Sequence, residues 1–508
     1  MEKEPIASPI SDLSAQDWHH SALSVQRFIL SLLERLSTVE HRLAALEEEN
    51  RLLKERLGIN SSNSSRPPSS DISTRERKKK KPTGRERGAQ PGHPGHRREL
   101  LPVQECQKVV DHYPQRCRHC QGSLSGVDPQ PLRHQVVEIP PLIPFVEEHR
   151  LHRLCCPQCR ARTCAAWPEE VPRSGYGSRL VAVVAVLCGL YRLSERMTQE
   201  AISDLFGVEI SLGSIDALRQ EASLTIAAPV EEARTFVQQQ EVVHADETGF
   251  VQGNADGANP DLRKAWLWVA ATALVITFRI HLSRGADAAR EVLGGAFLAV
   301  LVSDRWHAYN WVDLRQRQLC WAHLKREFQK IEERGGESRQ LGEALLAEEK
   351  KLFTYFNRVR DGTLARSTFR VYAGAIRQRI TVLLEKGAAY QIKRSDKSER
   401  ARTARTCREL LKVEAAMWLF VRREGVEPTN NRAERAIRPA VLWRRTSFGA
   451  QSAGGSEFVA RMLTVVMTLR AQQRNVLEYM TQACQAARRN TIAPSLLPQV
   501  SAPELHSY

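Results

Sequence analysis

From residue 240 onward, short apolar runs follow one another in an order that few folds share. The first three runs have the composition of strands and read "EVVHAD", "AWLWVAATA" and "LVITFRIHL". They are followed by a helical segment, "GADAAREVLGG", and by a fourth strand, "AFLAVLVSD". A fifth short strand, "RQLCWA", leads into another helix. Strands combined with helical crossovers in this way predict an α/β domain built on one sheet.

Two of the predicted strands end on a carboxylate. Asp246 closes the first strand, and Asp304 closes the fourth strand 58 residues later. The strand order is that of the ribonuclease H-like fold, in which the ends of these two strands lie side by side, so we expect the two acids to be neighbours. The alternative for "HADETGF" is a strand that ends in a turn, because Asp, Thr and Gly are common turn formers. Glu247 points to the other side of an extended strand, which predicts a hydrogen-bonding or structural role.

A two-metal site for phosphodiester chemistry generally needs a third carboxylate from a following helix. The candidate is Glu434, in "EPTNNRAERAIRP". It follows a long Lys/Arg-rich helical stretch, at about residues 338–425. Asn431, three residues earlier, also gives this segment the pattern of a capping box, in which Glu434 only caps a helix. The residues alone leave both roles open.

Residues 22–58 contain an apolar seam with the spacing of a coiled coil. Its members alternate at intervals of four and three residues and are Val25, Ile29, Leu32, Leu36, Val39, Leu43, Leu46, Asn50, Leu53 and Leu57. With Asn50 at an a position, the facing g and e positions of a parallel dimer have opposite charges in the pairs Arg35–Glu40, Arg42–Glu47 and Glu49–Lys54. We therefore predict a dimerisation helix that makes the protein a homodimer. The alternative is an amphipathic helix that packs on the chain's own core.

Residues 59–99 are predicted to be a disordered linker with a strongly basic second half. "NSSNSSRPPSSD" has linker composition. Residues 75–98 then carry 10 Lys or Arg against 2 Glu, in a chain of 508 residues with net charge +16. Such a segment favours phosphate neutralisation on DNA, although many charge runs are only solvated tails. The predicted DNA-binding residues are Arg75, Arg77, Lys78, Lys79, Lys80, Lys81, Arg85 and Arg87.

Residues 100–175 are predicted to form a zinc-binding domain. Seven of the chain's 11 cysteines lie there, and they include the pairs Cys117-x2-Cys120 and Cys156-x2-Cys159. Two such pairs can close one tetrahedral zinc site. Cys155 and Cys164, or less favourably His119 and His152, could substitute for one ligand. A zinc of this kind can be purely structural.

Residues 176–238 are helical by pattern, and two apolar-periodic segments hinged at Gly207 suit a helix-turn-helix. The alternative is a helical hairpin that only packs. Residues 451–508 are predicted to be a C-terminal helical region. The longest apolar run, at 180–190, is too short for a membrane span of about 20 residues. With no basic-then-apolar leader at the start of the chain, a cytoplasmic, nucleoid-associated protein is expected.

These segments together resemble the transposases of the insertion-sequence-66 family along almost the whole chain. The resemblance rests on "NSSNSSRPPSSD", "GAQPGHPGH", the two cysteine pairs, "DETGF", "LVSDRWHAYN", "CWAHLKREF" and "PTNNRAERAIRPAVLWRRTSFGAQS", in the family's order. It implies a DDE transposase whose catalytic domain, residues 239–450, uses Asp246, Asp304 and Glu434 to bind two Mg²⁺ ions. It implies further that the helical stretch at about 338–425 is an insertion into this domain. It also implies that Cys117, Cys120, Cys156 and Cys159 bind one structural Zn²⁺.

The expected function is binding of the terminal inverted repeats of an insertion sequence, followed by metal-dependent DNA cleavage and strand transfer. DNA at the element ends and at the target is the expected partner, and the resemblance suggests small accessory proteins of the same element as well. The alternative is a transposase-derived DNA-binding regulator without catalysis. A ribonuclease or junction resolvase of the same fold would explain the acids, but not the zipper, the basic segment and the cysteine pairs.

Overall fold

The computed structural model describes residues 18, 22–58, 99–168, 171 and 174–498. The chain divides into two units. The larger unit comprises Met1–Ser73, Ile226–Val476 and Ser495–Tyr508, and the smaller comprises Thr74–Thr225 and Leu477–Pro494. The basic segment 75–98, with all of its predicted DNA-binding residues, lies outside the described residues. Its role therefore stays a prediction.

The secondary structure is mainly helical, with one larger sheet and one small hairpin. Up to the sheet, the elements are α1 (Leu23–Gly58), β1 (Arg153–Cys155), β2 (Arg162–Cys164), α2 (Ser178–Gly189), α3 (Glu195–Phe206), α4 (Leu212–Thr225) and α5 (Ala227–Gln238). The sheet and its connections are β3 (Val242–Phe250), β4 (Ala265–Ala271), β5 (Ile276–His281), α6 (Ala286–Leu293), β6 (Val300–Ser303) and β7 (Arg317–Leu319). The helices that follow are α7 (Trp321–Glu333), α8 (Gly336–Arg360), α9 (Arg366–Ala388), α10 (Glu399–Lys412), α11 (Leu419–Arg422), α12 (Asn431–Ser447), α13 (Ala453–Ala471) and α14 (Val476–Arg488).

The five-stranded sheet has the order β5-β4-β3-β6-β7. Strands β3, β4 and β5 are antiparallel neighbours, whereas β6 is parallel to both β3 and β7. Strand β4 is almost wholly buried, as its continuous apolar sequence predicts for a strand covered on both faces. The predicted adjacency of the first and fourth strands is confirmed by the pairing of β3 with β6. This mixed α/β architecture is compatible with the ribonuclease H-like core that the sequence predicts.

Helix α13 covers the β5 edge of the sheet by hydrogen bonding to its backbone. The Thr468 hydroxyl accepts from the Ile276 N–H at 3.0 Å and donates to the Ile276 carbonyl at 2.9 Å. The Thr464 hydroxyl accepts from the Phe278 N–H at 2.9 Å. Two threonines one helical turn apart thus bond to the outward-facing backbone groups of two β5 residues that are two positions apart. This pairing carries the larger unit to Val476, beyond the predicted end of the catalytic domain at residue 450.

The helical insertion covers the opposite edge. Helices α8 to α11 occupy the predicted interval and form a core with α7 that includes Trp321, Phe328, Phe356 and Phe420. On β7, the Gln318 amide donates to the Met417 carbonyl at 3.1 Å and accepts from the Phe420 N–H at 2.8 Å. These contacts return the chain to the sheet just before α12 begins. The insertion therefore fixes the place at which α12 enters the site.

In the smaller unit, α3 and α4 form the predicted hairpin with its hinge at Gly207. Gly207 has left-handed backbone angles (φ 64°, ψ 28°) and ends α3, which is the usual reason for glycine at a helix C-terminus. The single arginine of α4, Arg219, forms ion pairs with Asp216 and Glu195. Helix α4 therefore presents no excess of positive charge, so its predicted reading of DNA has little electrostatic support and stays a prediction.

Helix α1 spans the whole predicted zipper and leaves its seam open to solvent. Leu36 and Leu43 are 58% and 56% exposed. The side chains of residues 47–58, including Asn50 and the acidic or basic partners at 47, 49 and 54, lie outside the described part. Dimerisation through this helix stays a prediction. Within the described residues, no helix combines the length and apolar character that a membrane crossing requires.

Candidate active site

Asp246 and Asp304 lie at the same level of the parallel β3–β6 pair. The prediction that the first strand ends at Asp246 is wrong, because β3 continues to Phe250 and Asp246 pairs with Val269 of β4. In the β3–β6 ladder, Val242 pairs with Val300 and His244 pairs with Val302, so partners are 58 residues apart. Asp246 and Asp304 have the same separation and follow the last of these pairs by two residues. Side chains two residues apart on a strand point to the same face. Continuing the register therefore places the two carboxylates beside each other.

The turn that follows β6 is fixed by hydrogen bonds that start from Asp304. Its Oδ1 accepts from the Trp306 N–H at 2.8 Å. Its backbone carbonyl accepts from the buried Arg317 guanidinium at 2.9 Å, and the same nitrogen donates to the Trp306 carbonyl at 3.2 Å. Burial lowers the pKa of Arg317 to about 10, so it stays charged at neutral pH. One Asp304 oxygen is thus used for the turn, and Arg317 supplies a fixed positive charge behind it.

Helix α12 carries Glu434 near enough for its charge to raise the pKa of Asp246, although among the described residues the three carboxylates do not form one set of ligand atoms within 4.8 Å of one another. The helix begins without a capping box. The N-cap residue is Asn430, not Asn431, and it makes no side-chain cap hydrogen bond. Its buried amide instead donates to the Ala245 carbonyl at 2.7 Å and lies 3.2 Å from His244 Nδ1. Glu434 Oε1 is buried without a hydrogen-bond partner within the described residues. The alternative role of Glu434 as a reciprocal cap is therefore wrong, because the helix begins one residue earlier and Asn430 is used by β3.

Several acidic side chains near Asp246 affect one another's ionisation. Burial raises the pKa of Asp246 well above its usual value, and the neighbouring charges of Glu247, Asp304 and Glu434 raise it further. A cluster of like charges in a low-dielectric site is unfavourable unless protons or cations neutralise it. A cation bound beside these acids would therefore offset the unfavourable free energy of their repulsion.

Glu247 differs from these acids because two neighbouring side chains donate hydrogen bonds to its carboxylate. Arg284 donates two hydrogen bonds to its Oε1, at 3.1 and 2.9 Å, and the Tyr309 hydroxyl donates to its Oε2 at 2.6 Å. The Arg284 guanidinium also lies between two indole rings, 4.5 Å from the centroid of Trp266 and 3.6 Å from that of Trp306. Both Glu247 oxygens are thus occupied, in agreement with the structural role that its strand position predicts.

His323 faces Glu434 across the entrance to α7. Its Nδ1 lies 3.6 Å from Glu434 Oε1 and has no hydrogen-bond partner in the described chain. Burial lowers its pKa, as does the nearby Arg326 charge, which leaves a neutral imidazole at neutral pH. Cys320 Sγ lies within 4.8 Å of both groups, but burial raises the pKa of this thiol and its sulfur accepts from the Asn430 N–H. It is therefore a poor metal ligand.

An open cleft gives access to this side of the site. It has a volume of about 210 Å³ and is lined by Asp304, Arg305, Trp306, Leu319, Cys320, His323, Leu324 and Glu327. The cleft thus joins the end of β6 to the first turn of α7. Small molecules or a nucleic-acid backbone could reach Asp304 and His323 through it.

The two cysteine pairs of the smaller unit form matching turns. The Cys117 N–H donates to the Gly122 carbonyl at 2.9 Å, and the Cys156 N–H donates to the Ala161 carbonyl at 2.8 Å. In both turns the residue after the second cysteine, Gln121 or Arg160, has a positive φ of 60° or 56°.

Backbone N–H groups within each turn point to the first sulfur. Hydrogen bonds from Cys120 and His119 lower the pKa of Cys117, and those from Cys159 and Gln158 lower the pKa of Cys156. Each pair is thus arranged for thiolate ligation. Among the described residues, the pairs are not brought together into one set of three or four ligands, so the shared zinc site stays a prediction.

Comparison with known protein families matches the part of the chain that contains the five-stranded sheet. Residues 173–458, more than half of the chain, match the family described as "Transposase IS66 family". The chain belongs to this family. Residues 20–99 of this transposase-family chain also match a family of unknown function.

One curated relative is an uncharacterized protein, y4qI, of Sinorhizobium fredii (strain NBRC 101917 / NGR234). It is 28% identical over 342 residues, which cover 62% of this transposase-family chain and 60% of the relative. The aligned part therefore spans less than two thirds of the relative's length.

The strand order predicts Asp246 and Asp304, and the family resemblance adds Glu434; their role as metal ligands stays a prediction. No role was predicted for His323. The signal was present in "CWAHLKREF", where a histidine follows β7 at the start of a helix. Its distance from Glu434 could not be inferred because 111 residues and the helical insertion separate the two in sequence. Arg317 was also missed, because a buried arginine that binds backbone carbonyls leaves no local pattern.

Proposed function

We propose that this chain is a DDE transposase with a ribonuclease H-like catalytic core. It binds the terminal inverted repeats of an insertion sequence, cleaves DNA and transfers the freed strand to a target. The proposal is carried by one observation. Two carboxylates lie at equivalent positions on adjacent parallel strands, and the first turn of α12 adds a third whose buried oxygen lacks a partner.

The chemistry of the site fits divalent metal. Asp246, Asp304 and Glu434 offer hard oxygen ligands of the kind that Mg²⁺ prefers. Burial raises the pKa of Asp246, and the neighbouring charges of Glu247, Asp304 and Glu434 raise it further. These three acids would hold two Mg²⁺ ions. When bound, such ions neutralise charge at the attacked phosphate and favour deprotonation of the attacking water or 3′-hydroxyl.

The protein's own residues provide the positions and the charge balance. Arg317 fixes the backbone after Asp304, and the contacts of Asn430 with Ala245 and His244 fix the start of α12 against β3. Arg284 and Tyr309 occupy Glu247, so that this carboxylate does not compete for the same cations. Neutral His323 can accept a proton at Nδ1 from a water or hydroxyl near Glu434.

The remaining parts of the chain serve DNA binding and assembly in this proposal. The coiled coil at 22–58 makes the homodimer, and the basic linker within 59–99 binds phosphates. Residues 100–175 form the zinc domain with ligands Cys117, Cys120, Cys156 and Cys159, and residues 176–238 contribute helices. The catalytic domain includes 239–450 and the insertion at 338–425. The location is the bacterial cytoplasm, on the nucleoid.

Strand cleavage tests the proposal directly. The substrate is a labelled duplex that carries the end of the element, taken from the DNA that flanks the coding region. We expect nicking at the end with Mg²⁺, none after chelation, and at least about a hundredfold loss in Asp304→Asn. Asp313→Asn, on a nearby exposed turn, is the matched control. Tight binding without cleavage under any metal condition would instead favour a regulator derived from a transposase.

A further inference from the structure

Three arginines form a stripe along the outer face of α12. Arg435, Arg438 and Arg445 are exposed, and so is Leu442 between them. Spacings of three, four and three residues place these four side chains on one face of a helix. From Arg435 to Arg445 the stripe spans about 15 Å. It begins one residue after Glu434, so it leads away from the proposed catalytic acids.

The other arginines of α12 are used differently. Arg432 donates to the Thr272 carbonyl at 3.1 Å, and Arg444 donates to the Thr248 hydroxyl at 2.7 Å and to the Gly249 carbonyl. These two therefore attach the helix to the sheet. Within the described chain, the three outer guanidinium groups make no hydrogen bond or ion pair. The helix separates structural arginines from free ones by face.

Several other basic helix residues of this unit have an acidic partner one turn away, whereas in the described chain these three arginines do not. Such i, i+3 pairs are Glu327–Lys330, Glu348–Lys351, Glu399–Arg402 and Glu409–Lys412. Helix α12 has a single acid, Glu434, which is directed to the site. The outer face of α12 therefore carries positive charges that no acid of the same helix balances. Such a face favours contact with a polyanion.

An exposed aromatic ring stands at the end of the stripe. Phe448 is 81% exposed and has a left-handed φ of 56°, which costs a non-glycine residue about 1–2 kcal/mol. The strain is imposed by the following backbone, since the Ala450 N–H donates to the Val251 carbonyl at 2.9 Å and the Gly253 N–H donates to the Ala450 carbonyl at 2.8 Å. These bonds fix the backbone next to Phe448, from which a large apolar ring projects into solvent.

We propose that the outer face of α12 binds one strand of the nucleic acid that reaches the active site. Arg435, Arg438 and Arg445 contact phosphates along this strand, and Phe448 stacks on an unpaired base at the far end. At about 3.4 Å per nucleotide, the arginines span about four steps of one strand. This inference rests on the proposed function, because that function places the reacting phosphate at Glu434. It adds a binding surface that is separate from the basic linker.

Site-specific cross-linking tests the surface in the full chain. p-Benzoylphenylalanine in place of Leu442 is irradiated with a fluorescein-labelled DNA duplex that has a single-stranded extension, without added divalent metal. The matched control has the same photoprobe in place of Val382, which is 57% exposed on α9 of the insertion. We expect a several-fold higher cross-linking yield at 442 than at 382. Equal yields would overturn the proposal.

Salt dependence gives a second measurement on the same probe. The variant Arg435→Gln, Arg438→Gln, Arg445→Gln should lower the slope of log affinity against log salt by about two to three units, from 0.7–0.9 per lost phosphate contact. The charge-matched control is Arg339→Gln, Arg360→Gln, Lys386→Gln, on exposed positions of the insertion, and it should leave the slope unchanged. Equal slopes for both triple variants would contradict the stripe.

The aromatic contact has its own variant. Phe448→Ala should weaken binding of the extended probe about fivefold or more while leaving a blunt duplex unaffected, and Phe448→Trp should retain it. Equal loss on both probes would overturn the stacking contact. Loss of binding to phosphatidylserine vesicles, with an unchanged DNA slope, would assign the arginines to a membrane surface and overturn the strand-binding proposal. Normal cross-linking without any metal-dependent cleavage would count against the proposed function alone.

Discussion

Asp246 and Asp304 have the same 58-residue separation as the partners that pair β3 with β6. The parallel ladder therefore sets the two carboxylates beside each other, and each follows its last paired residue by two positions. Parallel strands have a single edge at which all their carboxyl ends meet, and acids at that edge repel one another in a partly buried setting.

Removing one of these charges should stabilise the metal-free protein. The folded-state pKa of Asp246 is raised above its usual value of 3.8, so the native state binds more protons than the unfolded state above that pH. The free energy of unfolding therefore falls as pH rises through this interval. Asp246→Asn should show a higher Tm than the wild type at neutral pH, about 2–4 °C for each kcal/mol of relief, and the difference should shrink toward pH 4.

Thermal scans across pH and with added Mg²⁺ provide the measurement. Saturating Mg²⁺ should raise the wild-type Tm through mass action and leave the Asp246→Asn variant nearly unchanged. Asp287→Asn, at an exposed position whose side chain is 96% accessible, is the charge-matched control and should behave as the wild type. A lower Tm for Asp246→Asn at neutral pH without metal would contradict the repulsive cluster.

Substitutions of Glu434 and Asn430, both at the start of α12, should have different effects on catalysis and stability. Glu434→Gln removes a charge from an oxygen that has no hydrogen-bond partner, so Tm should hardly change while DNA cleavage falls at least about a hundredfold. Asn430→Ala removes the bond to the Ala245 carbonyl and should cost about 1–3 kcal/mol of stability. Near wild-type cleavage by Glu434→Gln would show that the third acid lies elsewhere.

The threonines of α13 should contribute strongly to the stability of the sheet edge. Thr464→Val and Thr468→Val keep the side-chain shape but leave the Phe278 and Ile276 N–H groups without acceptors. Each should lower the free energy of unfolding by about 1–3 kcal/mol. Thr354→Val is the control, because that exposed hydroxyl bonds only within its own helix, and its effect should stay within about 0.5 kcal/mol. Urea denaturation of the full chain measures all three.

The cysteine turns should bind about one Zn²⁺ per chain. Metal analysis after dialysis should find it in the wild type and in Cys164→Ser, and should find it lost in Cys117→Ser and in Cys156→Ser. The reason is that both first sulfurs accept the backbone hydrogen bonds of their turns. Two zinc ions per chain, or none in a folded protein, would show that the two pairs do not close one site.

The open seam of α1 should be covered by a second copy of the chain. Leu36→Glu together with Leu43→Glu places charges on the a positions and should convert the dimer to a monomer in light scattering. Ser37→Glu together with Thr38→Glu adds the same charge at positions outside the seam and should leave the dimer intact. A monomeric wild type at micromolar concentration would exclude the coiled coil.

Much of this protein was readable from local sequence signals. The individual strands, the hinge at Gly207 and the two cysteine turns all depend on residues within a few positions of one another. Their conformations follow from alternation of apolar residues, from left-handed backbone positions and from backbone hydrogen bonds in tight turns. Charge and seam spacing likewise predict a polyanionic partner and a dimer without reference to any fold.

Other features were decided only by tertiary contacts. The choice between a cap and a site residue at Glu434 depends on Asn430, which binds Ala245 across 185 residues of sequence. Thr464 and Thr468 act on a strand that precedes them by 186 and 192 residues. The arginines of α12 all lie on one helix, and only packing against the sheet divides them into bound and free. Such roles belong to pairs of distant residues, so the folded chain had to bring them together before they could be recognised.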